Sequence, residues 1–253
     1  MPSSAAALPE LIAHRGNAAE FPENTLEALA SAVELGVRYV ELDVQLTADH
    51  VPVVFHDANL VRVAGRSECV HELEWRQFAG MAIGEPARLG TMFNHVRPTS
   101  LHGLAEALPG WRGVTAFVEI KRSSLRRFGH AVVLGQLTAA LRPVLDQCVW
   151  ISFDLASVET LRRTTGARIG WVVEHCDEVS LRAAQTVQPD FLFGDVERIP
   201  SDTARLWDGP WDWAIYEVQD LDTARRCHQL GAKFVETMAV RNMVNAYAAA
   251  RRE

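Results

Sequence analysis

The stretch "YVELDVQL" (residues 39–46) sets two acids, Glu41 and Asp43, two positions apart inside an otherwise apolar run. Successive side chains of a strand point to opposite faces, so Glu41, Asp43 and Gln45 share one face. Tyr39, Val40, Leu42, Val44 and Leu46 read as buried. Two carboxylates this close repel each other and resist burial, so either their face meets water or a cation stands between them. Complementary chemistry closes other strand-like runs: His14-Arg15 after "LIA", His56-Asp57 after "PVVF", and Glu119 and Lys121, again two apart, in "AFVEIK". Glu41, Asp43 and Glu119 form a hard oxygen donor set suited to Mg²⁺ or Ca²⁺ rather than zinc. Such an ion would offset the repulsion between the first two. Arg15 and Lys121 suit an anionic group, above all a phosphate. His14 and His56, with an ordinary pKa of about 6.5, suit proton transfer near neutrality. Together the set reads as phosphoester cleavage, the ion stabilising charge on the phosphoryl oxygens. Singly, each residue has a plainer reading: a structural histidine, a solvent-facing acid, or an exposed ion pair contributing about 0–1 kcal/mol. Convergence on one rim is what separates the two readings.

The elements that must bring these residues together recur with a regular beat. Short β-branched runs near 11–14, 39–45, 116–121, 148–153, 168–173, 191–195, 213–218 and 233–237 alternate with helical segments. Alternation of this kind predicts a parallel sheet, and eight units in a chain of this length predict a (β/α)₈ TIM barrel. An open doubly wound sheet is the runner-up, but no GxGxxG follows a strand. The run at 52–56 falls in the loop after the second strand. Residues 57–100 read as an insertion within one barrel domain spanning 1–253, with one short helical piece around "HELEWRQFAGM". In "NTLEALASAVELG", Leu26, Leu29, Ala30 and Val33 recur at helical spacing and Gly36 ends the helix. Asn24 with Glu27 predicts the N-cap and capping box. Strand C-terminal ends form one mouth of a barrel, where its active sites are built.

Composition narrows the partners. The chain has 253 residues, 25 Lys and Arg against 32 Asp and Glu, and a net charge of −7. That balance argues against nonspecific binding to nucleic acid or anionic membrane. Cysteines at 69, 148, 176 and 227 form no CxxC pair and are expected to be small buried thiols. No basic segment followed by an apolar run opens the chain, and no stretch approaches a membrane span, so a cytoplasmic location is expected.

In order along the chain, "AHRG", "PENTLEAL", "ELDVQLTADHVPVVFHD", "NLVRVAG" and "VEIK" resemble the glycerophosphodiester phosphodiesterase family. "ISFD" at 151–154 and "YEVQDLDTARRCHQLGAKFVET" at 216–237 are similar to its later strands. The resemblance implies a (β/α)₈ barrel with an insertion after the second strand. It also implies hydrolysis of a small glycerophosphodiester to glycerol 3-phosphate and an alcohol, with a divalent metal, Mg²⁺ or Ca²⁺. By the same resemblance His14 and His56 are the acid/base pair, Glu41, Asp43 and Glu119 the metal ligands, and Arg15 and Lys121 the phosphate contacts. His14 as base is the preferred order. The order itself, and attack by water or by the glycerol 2-hydroxyl through a cyclic phosphate, stay open.

Two departures touch the substrate pocket. Members often carry Trp-Thr-Val-Asn on the seventh strand, where this chain has Tyr216-Glu217-Val218-Gln219. They often end the last strand in Thr-Asp followed shortly by Pro, where this chain has Glu236-Thr237-Met238. Glu217 and Glu236 fit a cationic headgroup such as choline or ethanolamine, or, more plainly, surface acids or helix-cap contacts. Tyr216 and Phe153 read as barrel packing. Two rival functions are a lysophospholipid- or sphingomyelin-type phospholipase D on the same scaffold, and a non-catalytic phosphate-binding barrel. The first lacks a recognisable membrane-binding stretch. The second has no need of two proton carriers.

Overall fold

A computed structural model of the chain describes residues 8–200 and 203–252. Its β-branched and aromatic runs form β1 (Glu10–Ala13), β2 (Tyr39–Leu46), β3 (Pro52–Val54), β4 (Thr115–Ile120), β5 (Cys148–Ser152), β6 (Arg168–Val172), β7 (Phe191–Asp195), β8 (Asp212–Tyr216) and β9 (Phe234–Thr237). β1, β2 and β4 to β9 pair in parallel, and β1 bonds both β9 and β2, which closes an eight-stranded barrel. Every strand expected from the sequence is present, with ends displaced by two residues at most. The run at 52–56 is more than loop. β3 folds back antiparallel on β2, with Val54 opposite Val44, outside the ring.

The period of two decides what faces inward. Ile12, Phe117, Val149, Ile151, Val172, Phe191, Phe193, Ala214 and Phe234 form one buried cluster inside the barrel. Their neighbours one residue away, such as Val118, Trp150, Leu192 and Val235, join a second cluster with Leu29, Leu137, Leu161 and Met243 of the surrounding helices. The barrel interior is therefore a packed plug, and only its upper layer is polar.

Three expectations need correction. Thr25, not Asn24, caps the helix Leu26–Glu34, its side chain accepting from the Ala28 amide. Asn24 sits at φ 56 with its amide turned into the barrel mouth, because a buried carboxylate there competes for it. The insertion holds more than one helical piece. Short helices at Val61–Ala64, Trp75–Phe78 and Pro86–Leu89 enclose their own apolar cluster of Phe55, Leu60, Val63, Val70, Phe78, Ile83 and Val96. Cys148 and Cys227 are buried, but Cys176 is exposed and Cys69 only half-buried. Among the described residues no single helix is long and apolar enough to cross a membrane.

Candidate active site

Two residues past the inward-facing Ile12, the chain leaves β1 at His14. Gly16 then turns it back at φ 80, and a Cβ there would lie 2.5 Å from the Ala28 carbonyl carbon. Glycine is the residue that lets this turn press against the first helix. On β2, Glu41 and Asp43 follow the inward parity of Tyr39 and are each 1% exposed. The β2–β4 register sets Asp43 beside Glu119. Single ligand oxygens of Glu41, Asp43 and Glu119 lie within 4.8 Å of one another, a spacing at which all three can meet one divalent cation.

The positive charges called for by this arrangement are present. Lys121 Nζ donates to Asp43 Oδ1 at 3.0 Å and to Glu119 Oε1 at 2.8 Å. Arg15 Nε lies 3.2 Å from Asp43 Oδ2, and the Arg15 backbone N–H donates to Glu41 Oε2 at 3.1 Å. Burial pushes the Asp43 carboxyl up, but Lys121 and Arg15 outweigh it and hold the group well below the usual carboxylate range. Burial, reinforced by the Asp43 charge, instead drives Glu41 far above that range. Glu119 is raised too, mainly by burial, although Lys121 opposes the shift. Oε1 of Glu41 is buried with no hydrogen-bond partner. An orphaned carboxylate oxygen beside two more hard donors fits a divalent ion.

The histidines flank this cage. His14 Nε2 is 3.9 Å from Glu41 Oε2, and its Nδ1 is 3.7 Å from Glu217 Oε1. Burial, helped by the Arg15 charge, lowers His14 to about 3, so the ring is neutral at physiological pH. His56 Nδ1 is 2.5 Å from Asp57 Oδ1. All seven residues singled out from the sequence meet in one place. Six of them, all but Asp43, line a cavity of about 130 Å³ whose walls include Phe153, Phe193 and Tyr216. Phe153 and Tyr216 also pack against the interior plug, as expected.

Sequence reasoning missed the residues that hold these groups still. Asn24 Nδ2 donates to Asp43 Oδ2 at 2.8 Å, and the Asp43 backbone N–H donates to Asn24 Oδ1 at 3.0 Å. Gln45, third on the acidic face, donates to the His56 carbonyl at 2.8 Å and accepts from Ser123 and Ser124 at 2.8 and 2.7 Å. Arg62, in the insertion, donates to both oxygens of Glu23 at 2.5 and 2.7 Å and to Asp57 Oδ2 at 2.9 Å. Glu23 in turn accepts from Arg15 at 3.0 Å. One chain of charge-assisted bonds thus runs from Arg15 to His56. Glu217 is half-exposed and lines the same cavity, 3.7 Å from His14 Nδ1. Glu236 is not a surface acid: it is 3% exposed, and burial with the Glu119 charge drives its carboxyl far above the usual range. The missed signal was parity, since Phe234 faces inward and Glu236 stands two residues on.

An acidic cage flanked by two cations and two imidazoles thus stands at the C-terminal mouth of a (β/α)₈ barrel. The profile of the glycerophosphoryl diester phosphodiesterase family matches residues 14–188, and the chain belongs to that family. Glycerophosphodiester phosphodiesterase 1 of Bos taurus is 34% identical over 134 residues, covering 53% of this chain and 37% of that protein. Glycerophosphocholine phosphodiesterase gde1 of Schizosaccharomyces pombe is 45% identical over 78 residues, covering 28% of this chain and 7% of that protein. The chain thus spans well under half the length of the curated relatives it matches. An Oleispira antarctica phosphodiesterase, solved in complex with the product sn-glycerol-3-phosphate, superposes with a TM-score of 0.81 at 20% identity, over 95% of this chain and 97% of that one. A glycerophosphodiester phosphodiesterase from Agrobacterium tumefaciens gives 0.72 at 18% identity, over 94% and 100%. These structures share the barrel fold.

Proposed function

We propose that the protein hydrolyses glycerophosphodiesters to glycerol 3-phosphate and an alcohol, using one divalent ion and a histidine acid/base pair. The observation that carries this reading is the meeting of the Glu41, Asp43 and Glu119 oxygens within 4.8 Å, with His14 and His56 on the same cavity. Family membership and the glycerol 3-phosphate held by a structural relative support the choice of substrate.

Glu41, Asp43 and Glu119 would hold Mg²⁺ or Ca²⁺, which supplies Lewis-acid stabilisation of charge on the phosphoryl oxygens. Arg15 and Lys121 would bind and orient the phosphate. His14 takes the proton from the nucleophile. Asp57 occupies Nδ1 of His56, so His56 delivers its proton to the leaving alcohol from Nε2. Water or the neighbouring glycerol hydroxyl can serve as nucleophile, since the same two imidazoles move the proton in either case.

The direct test is a panel of glycerophosphodiesters, choline and ethanolamine esters among them, incubated with metal-free protein and then with Mg²⁺ or Ca²⁺. Release of glycerol 3-phosphate that appears only with metal is the expected result. Equal release from thoroughly chelated protein would remove the metal from the proposal. Turnover of a lysophospholipid in place of these substrates would move the assignment to a phospholipase.

A further inference from the structure

Glu236 has no task in the reaction above, yet its placement is costly. It faces into the barrel from β9, is 3% exposed, and its Oε1 has no hydrogen-bond partner. Oε1 of Glu41 and Nδ1 of His14 are buried and unpartnered as well. One ligand atom each from His14, Glu41 and Glu236 lies within 4.8 Å of the other two. The nearby cations are committed elsewhere, Arg15 to Glu23 and Asp43, Lys121 to Asp43 and Glu119. A fourth buried carboxylate beside three others must be neutralised, by a proton or by a cation that displaces it.

We propose that His14, Glu41 and Glu236 form a second divalent-cation site that shares the Glu41 carboxylate with the first. The two triads have only Glu41 in common, and a carboxylate has two oxygens, so one residue can serve both ions. The donor sets differ. The first triad is all oxygen and suits Mg²⁺ or Ca²⁺, whereas two carboxylates with an imidazole suit a transition-series ion such as Mn²⁺. Binding there uses the lone pair of His14, which then cannot accept a proton. The second ion is therefore inhibitory: turnover rises as the first site fills and falls as the second does. This inference rests on the reading of Glu41, Asp43 and Glu119 as the first cage and of His14 as the proton acceptor.

The test counts ions directly. Metal-free wild type, Glu236→Gln and Glu119→Gln are titrated with Mn²⁺ by calorimetry, and bound ion is measured after equilibrium dialysis. Wild type should bind two ions per chain and Glu236→Gln one. Glu119→Gln, which removes a direct ligand, should weaken the other ion. Glu236→Asp, which keeps the charge on a shorter arm, should weaken the second ion without abolishing it. It also serves if the glutamine variant folds poorly. The falling limb of turnover with rising Mn²⁺ should vanish in Glu236→Gln. A single wild-type ion that Glu236→Gln leaves in place overturns the second site and leaves the first standing. A single ion that Glu236→Gln weakens makes Glu236 a ligand of the first site and also overturns the proposal. Absence of any bound ion overturns both sites together.

Discussion

Asn24 grips Asp43 from both ends of its amide, donating to Oδ2 at 2.8 Å and accepting from the Asp43 backbone at 3.0 Å. The grip fixes the carboxylate that also faces Arg15 and Lys121, so a residue just outside the first helix sets the aim of the proposed cage. Asn24→Ala should lower Mg²⁺ affinity by roughly 10–100-fold, the usual cost of losing an outer partner of a metal ligand. Calorimetric titration measures this directly. Unchanged affinity would mean that strand register alone positions Asp43.

His56 depends on its neighbours for place, not for folding. Gln45 holds its carbonyl and Asp57 holds its ring. His56→Ala should therefore reduce kcat by roughly 10²–10⁴ while circular dichroism and melting stay near wild type. Near-normal turnover in a folded variant would exclude His56 as a proton carrier.

Arg62 ties the insertion to the barrel through Glu23 and Asp57. Removing it as Arg62→Ala leaves the buried Glu23 carboxylate with Arg15 as its remaining ionic partner, at a cost of about 1–3 kcal/mol. Arg62→Lys should not restore the loss, because an ammonium cannot bond two carboxylates as a guanidinium fork does. Urea unfolding of the three proteins checks both statements. Full stability in Arg62→Ala would show that the apolar cluster of the insertion docks it unaided.

Burial lowers His14 from 6.5 to about 3. Between these values the unfolded chain holds a proton that the folded protein does not, so acidification through this window costs stability. In metal-free protein, His14→Asn should lose less stability than wild type between about pH 7 and about pH 5. Urea midpoints at the two pH values give the comparison. Identical losses in both proteins would mean that His14 is not held neutral by the fold.

The eight-stranded barrel and the Glu41, Asp43, Glu119 and Lys121 face follow from the primary structure, because a strand's period of two is a local property that survives any packing. His14, Arg15 and His56 could be added because strand C-termini converge in a parallel barrel. Tertiary structure alone decided the rest. Asn24 has the sequence signature of a helix cap, yet Thr25 caps the helix and Asn24 serves a carboxylate 19 residues away. The bond from Arg62 to Glu23 spans 39 residues, and the hydroxyl bond from Ser124 to Gln45 spans 79. Such pairings carry no periodic signal, since a hydrogen bond between distant residues depends on where two unrelated elements come to rest. Glu236 lies between these cases. Its parity was readable, but whether that position held a spare surface acid or a buried carboxylate beside His14 depended on how far up the barrel the apolar plug reached.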